Sequence, residues 1–246
     1  MRNLLFTLRF DGSAYSGWQI QRNAPPIQAA FQEAFAKPFG HCPDLKGCSR
    51  TDSGVHADMF CLSMKTELLL PPERIQAAVN RALPDAIVIT ACREVPEDFH
   101  ARYDCTGKEY RYKIWNAAVR NPFALTYALH YPYPLKETLL HDSAQDFLGT
   151  HDFSAFQTLG SSIEDTVRTM TAASVVREGD WVTFFISGNG FLYNMVRIMT
   201  GTLLFIGQGK IAPDALPAIL ASKDRGRAGI TAPPQGLYLH RVDYEV

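Results

Sequence analysis

Apolar and polar residues alternate over positions 3–10. Leu4, Phe6, Leu8 and Phe10 fall on one side and Leu5, Thr7 and Arg9 on the other, the period-two pattern of a half-buried strand. Asp11 and Gly12 end it. After the Pro25-Pro26 break the period lengthens. Ile27, Ala30, Phe31, Ala34 and Phe35 recur at helical spacing, an apolar stripe suited to lie on a sheet, and Pro38 and Gly40 close the helix. The pattern then predicts a strand over 58–65, a helix from Pro72 with Ile75, Val79 and Leu83 inward, and a strand through 87–89. The first half reads as strand, helix, strand, helix, strand.

In the second half Tyr110, Tyr112 and Ile114 alternate with Glu109, Arg111 and Lys113, a strand with its two tyrosines on one face. Asn121-Pro122 and residues 132–134 mark a loop, and 137–148 is helical in pattern. Strands over 166–177 and 181–187 flank Glu178-Gly179-Asp180, which suits a hairpin turn. Helices are predicted over 191–206 and 213–222, and a last strand over 237–244. On the first of these helices Gly190, Asn194, Arg197 and Gly201 are spaced by four, three and four, a small and polar stripe that suits a cleft or solvent equally. Strands separated by helices, with a hairpin among them, predict mixed α/β layers rather than a helical bundle.

Composition narrows the class. At 246 residues the chain can bury a large core, as one big domain or two small ones. It has no apolar run of membrane-spanning length and no charged-then-apolar leader at Met1, so no membrane association is expected and the reading is cytoplasmic. Its five cysteines, at 42, 48, 61, 92 and 105, are odd in number and contain no Cys-x-x-Cys pair, which argues against a disulfide framework and a zinc ribbon; most of them read as small buried hydrophobes. His56 lies near Cys48 and Cys61 but lacks the paired ligands of a metal site, so no metal is expected.

A net charge of −1 by itself counts against a nucleic-acid partner. Distribution matters more. Arg102, Lys108, Arg111 and Lys113 fall within twelve residues, and Lys223, Arg225 and Arg227 within five. These are local basic patches on a neutral whole, or a solvated strand face and helix end.

Residues 47–57, GCSRTDSGVHA, place Arg50, Asp52 and His56 within seven positions, with Gly47 and Gly54 on either side of the carboxylate. The stretch has too little apolar periodicity for a buried element, so it is either a site loop or a plain surface turn, since Asp-Ser-Gly is ordinary turn chemistry. Arg-Thr-Asp-x-Gly-Val-His-Ala resembles the active-site motif of the TruA family of tRNA pseudouridine synthases. Further similarities follow in order: Asp11-Gly12 through Tyr15, Gly17, Trp18 and Gln19; Phe99-His100-Ala101-Arg102 with Lys108-Glu109-Tyr110-Arg111-Tyr112; Gly149 with His151-Asp152-Phe153; residues 190–197, GFLYNMVR; and Asp224-Arg225 through Gly236-Leu237-Tyr238-Leu239. Ser49 departs from the pattern, where Gly is more usual before the Arg.

The resemblance implies an α/β fold of the α+β type. Two similar sheet-and-helix halves would join into one continuous, mainly antiparallel sheet with a central cleft. One domain, 1–105, would carry the Asp loop; the other, 106–246, the Tyr strand and the Arg helix. It implies an isomerase that converts uridine to pseudouridine at positions 38, 39 and 40 of the tRNA anticodon stem-loop, without cofactor, as a homodimer. Asp52 would be the nucleophile. Tyr110 would stack on the uracil and Arg50 assist base flipping.

The chemistry agrees with these assignments. The reaction cuts the bond from uracil N1 to ribose C1′, turns the base and joins C5 to the same carbon, which calls for a carboxylate and a sheltered pocket. A carboxylate in a partly dry pocket needs a nearby cation to stay ionised, and Arg197 is the candidate. Attack on base or sugar is left open. Arg102 and Lys108, with Arg111 and Lys210, are candidates for phosphate contacts. His56, His151 and Asp152 read as shaping residues, because no step needs an imidazole. Two rivals stay in view. A non-catalytic two-domain RNA-binding protein would show an aromatic RNP1-type strand, which is not found, and a carboxylate-using hydrolase would need a second acid or a metal near Asp52. The same isomerisation on another RNA is the third alternative.

Overall fold

The computed structural model describes residues 1–19, 25–161 and 163–246. In chain order the elements are β1 (Arg2–Phe10), α1 (Ile27–Phe39), β2 (Lys46–Gly47), β3 (His56–Thr66), α2 (Pro72–Asn80), β4 (Ile87–Val95), β5 (Cys105–Trp115) and β6 (Leu129–His130). There follow α3 (Glu137–Ala144), β7 (Gly149–Asp152), β8 (Val167–Glu178), β9 (Trp181–Gly188), α4 (Met195–Gly207), α5 (Leu216–Ser222) and β10 (Leu237–Tyr244). The fold is mixed α/β with mainly antiparallel strand pairing. The chain forms two compact units, one of residues 1–106 with 238–246 and one of 107–237.

In the first unit the strands run in the order β4, β1, β3, β10, and β2 adds to β3. β1 is antiparallel to both neighbours, with Leu4 opposite Met64 and Glu94; β10 joins β3 in parallel, Tyr238 opposite His56. Leu4, Phe6, Leu8 and Phe10 are buried as their alternation requires, and Phe6 meets Phe31 of α1 edge to face at 5.5 Å. The strand is not half exposed. Leu5 is buried as well, and Asn3 donates to the carbonyl of Phe99 at 2.7 Å, so residues 96–99 cover that end of the opposite face. α1 buries Ile27, Phe31, Ala34 and Phe35, and ends at Gly40 in the left-handed conformation. α2 starts at Pro72 and buries Ile75 and Val79; Leu83 lies beyond its end.

In the second unit the order is β5, β9, β8, β7, with β6 in parallel on β5. β8 and β9 form the expected hairpin, turning at Gly179 with φ 60°. Phe147, Phe153, Phe156 and Phe184 are fully buried and make edge and tilted ring contacts within the core. The helices α3, α4 and α5 of this unit all differ in their bounds from the sequence expectation, as β3, starting at His56, and β4, running to Val95, do in the first unit. α3 stops at Ala144 and passes into a 3-10 turn, α5 starts only at Leu216, and α4 starts at Met195 rather than Phe191.

Asp152 ties this unit together. Its carboxylate accepts from the Thr166 hydroxyl (2.7 Å), the Ser154 hydroxyl and the Ser154 N–H (3.0 Å), and pairs with Lys223 at 2.8 Å. Burial pushes its pKa up, but the Lys223 charge, the two hydroxyls and the N–H outweigh that and hold it well below the ordinary carboxylate range. A depressed folded-state pKa gives stability that is present above the unfolded value of about 4 and is lost as the pH falls through the folded one. Lys223 is mostly exposed, so its share is small. Asp152→Asn should therefore cost about 1–2 kcal/mol at pH 7. Urea unfolding should show the gap to the parent narrowing below about pH 4; an equal gap at pH 7 and pH 3 would reject the account.

Candidate active site

The loop before β3 is built by close backbone packing. The Val55 N–H donates to the Asp52 carbonyl at 3.2 Å, closing a turn in which Gly54 takes φ 77°. The segment after β1 clamps that turn. Trp18 N–H donates to Thr51 O (3.3 Å), Gly54 N–H donates to Tyr15 O (3.2 Å), and Gly12 N–H donates to His56 Nδ1 (3.1 Å). Two glycines make the approach possible. A Cβ on Gly12 would lie 1.9 Å from the Val55 carbonyl oxygen, and one on Gly17, at φ 93°, would lie 2.1 Å from that of Thr51. The N-terminal signature is thus the cradle of the Asp52 loop.

The loop's flanks are fixed too. Cys48 N–H donates to Cys61 O (2.8 Å), and Cys61 N–H to Cys48 Sγ (3.3 Å). Burial pushes the Cys61 thiol up to about 11, which leaves it an inert packing group. The buried His56 ring stacks on Tyr238 at 4.8 Å, and its Nδ1 also lies 3.2 Å from the Asp11 carboxylate. An unprotonated Nδ1 serves Gly12 and a protonated one serves Asp11, so His56 is placed to shape the loop. Within this frame Asp52 is half-buried and Arg50, two residues before it, is exposed.

The second unit carries Tyr110 and Arg197. Tyr110 faces Ile186 and Tyr112 faces Phe184 across the β5–β9 ladder. Tyr112 is the core tyrosine of the pair: it is fully buried and its hydroxyl donates to Pro233 O at 2.7 Å. Burial raises its pKa, with the Arg197 charge acting the other way. Tyr110 is 7% exposed and its ring meets Phe191 edge to face at 4.9 Å.

Arg197 lies in the first turn of α4, where the helix dipole disfavours a cation, so specific acceptors must hold it there. Its Nε donates to Ala232 O (2.7 Å) and its Nη1 to Asn194 Oδ1 (2.6 Å), while Ala232 N–H returns a bond to Arg197 O (3.1 Å). The stripe read from sequence is altered accordingly. Gly190 and Asn194 precede the helix, and at Gly201 a Cβ would lie 1.8 Å from Ile230 O, so that part of the stripe meets the 229–232 backbone rather than open space.

The remaining basic candidates divide by use. Arg102 is exposed, its guanidinium 5.9 Å from the Tyr103 ring centre; Lys108 and Arg111 are half-buried on β5. Lys113 lies over Trp181 at 4.6 Å, and Lys210 over Phe205 at 4.8 Å. The 223–227 cluster is largely tied down. Lys223 pairs with Asp152, and Arg225 donates to Gly229 O and Thr231 Oγ1. Among the described residues no group of three or more His, Cys, Asp and Glu is placed to hold a metal ion, and no helix is long and apolar enough to cross a membrane.

The residue that pattern reading misplaced is Asn194. Counted as mid-helix, it is instead the residue before α4, with φ 60° and ψ 9°. The usable signal was its type, since Asn is, after Gly, the residue that best tolerates the left-handed region.

A family model described as tRNA pseudouridine synthase matches residues 7–104 and 143–245. The tRNA pseudouridine synthase A of Acetivibrio thermocellus is 46% identical over 244 residues, covering 99% of this chain and 100% of that protein. That of Thermoanaerobacter sp. (strain X514) is 45% identical with the same coverage, and that of Geobacillus kaustophilus is 44% identical over 239 residues, covering 97% of this chain and 93% of the relative.

Proposed function

The chain belongs to the tRNA pseudouridine synthase family, an isomerase acting on tRNA, and from that premise we propose that it modifies uridines 38, 39 and 40 of the anticodon stem-loop with Asp52 as nucleophile. The observation that supports this reading best is the loop itself. Two glycine approaches and a four-residue turn fix the backbone around the half-buried Asp52, which is the preorganisation a nucleophile needs. Asp52 attacks the base or the sugar; N1 leaves C1′; the detached uracil turns, C5 bonds to C1′ and the bond to Asp52 breaks. C5 gives up its proton and N1 takes one up, so the product is an isomer of the substrate, nothing is oxidised or reduced, and no redox cofactor is needed.

The other groups take roles that follow from this chemistry. Arg197 supplies positive charge, which opposes the rise in carboxylate pKa that drying a site brings. Tyr110 offers a ring for the uracil to stack on and a phenol for the C5 proton. A stacked uridine reaches a carboxylate only when flipped out, at a cost of a few kcal/mol. The exposed Arg50 is assigned to the vacated space or the adjacent phosphate, and Arg102 and Lys108 to phosphates that position the tRNA without reading it. The Asp loop and the Tyr and Arg elements are assigned to domains 1–105 and 106–246, and the working form to a cytoplasmic homodimer, for which a monomer mass by light scattering would be the contrary result.

Release of tritium from uracil C5 of an unmodified tRNA transcript tests the reaction. Transcripts carrying cytidine at 38, 39 and 40 together should release none, and undiminished release from them would place the target elsewhere.

A further inference from the structure

We propose that Asn194 is a positioning residue for Arg197, holding its guanidinium with a neutral acceptor so that the positive charge is oriented without being cancelled. The inference rests on the role given to Arg197 above. Four observations carry it. Asn194 adopts φ 60°, a conformation costly to most side chains, and its side chain makes no capping bond to α4, the usual task of an Asn at that place. The side chain is spent in two other directions. Its Oδ1 accepts from Arg197 Nη1 at 2.6 Å, and its Nδ2 donates to Thr158 Oγ1 at 2.8 Å.

Thr158 is itself fixed, since its N–H donates to the Tyr193 carbonyl at 3.2 Å. The Arg197 contact also decides which way the amide points, because a guanidinium only donates and must meet the amide oxygen. That leaves the NH2 end for the Thr158 hydroxyl. The backbone carbonyl of Asn194 meanwhile accepts the first α4 bond, from Ile198 N–H at 3.0 Å.

The choice of residue is chemically specific. An Asp of the same shape would pair with the guanidinium as an ion and lose the donor to Thr158; a Gly would keep the backbone and lose both bonds. Ala232 O, the other acceptor named for Arg197, is also neutral. Neither of these two contacts spends the guanidinium charge, and misplacement by about 1 Å is enough to cost about 10²-fold in rate.

The test compares Asn194→Asp, Asn194→Gly and Arg197→Lys, singly and in pairs, by single-turnover rate at saturating unmodified tRNA, by tRNA Kd and by melting temperature. Gly accepts φ 60° without strain, so Asn194→Gly is expected to fold. The expected result is a drop of about 10²-fold for Asn194→Asp and about tenfold for Asn194→Gly, with Kd within about threefold and melting points close to the parent. Either change should add little on top of Arg197→Lys, because the two residues act as one unit. Rates at the parent level, losses that follow the melting point, or effects that multiply fully with Arg197→Lys would overturn the inference. Full activity of Arg197→Lys and Arg197→Ala alike would instead remove the Arg197 assignment on which it stands.

Discussion

Asp52→Asn should bind unmodified tRNA with a Kd within about threefold of the parent and release tritium from uracil C5 slower by about 10⁴-fold or more. The size follows from the role. A residue that forms the covalent bond cannot be replaced by orientation or charge, and the amide has the same shape but no nucleophilic oxygen. Loss of fold is not an alternative explanation, because the loop is held by backbone bonds from Trp18, Gly54 and Val55 that the substitution leaves alone. Melting temperature should shift by no more than a degree or two. Ordinary turnover by Asp52→Asn, with product verified as pseudouridine, would sink the nucleophile assignment.

Gly12→Ala should be nearly as damaging for a different reason. The added methyl would sit 1.9 Å from the Val55 carbonyl oxygen, and backbone on both sides leaves no flexible side chain to yield. Overpacking of a core by a methylene costs about 1–3 kcal/mol; a clash between backbones belongs at or above the top of that range. The strain should be relieved by displacing residues 51–55, which include Asp52 itself, three positions before Val55. Activity should fall further than stability alone explains: soluble, folded protein with tRNA affinity retained and kcat down by about 10²-fold or more. Parent-like kcat in a folded Gly12→Ala protein would show that the cradle has no hold on the carboxylate.

These two expectations also mark what was readable from the chain. The alternation at β1 and β5 and the stripe on α1 identify elements directly, because each is long enough for its period to repeat and each buries the face that the period selects. β2 and β6, two residues each, and β7, four residues, offer too few positions for a period, so pairing partners alone define them. α4 was started too early because Phe191 and Leu192 extend its apolar pattern backwards, while the ties of Asn194 to Thr158 and Arg197 break the helix there. Asp52 is singled out as a candidate by the wording of its loop and not by spacing. The contacts of Gly12 with Val55 and of Gly17 with Thr51 join positions tens of residues apart, and no local pattern reports such a distance.

β10 lies in parallel beside β3 and completes the first unit, whose other main strands all precede residue 96. During synthesis the first unit therefore waits for residues 238–246, and β3 is unpaired on its β10 side at His56 and Ala57 while the intervening residues are made. The ring of His56 has no Tyr238 to rest on until then. Nascent chains stalled before residue 238 should be more open to protease at residues 47–57 than chains that include β10, because the 47–57 loop settles only once Tyr238 is in place.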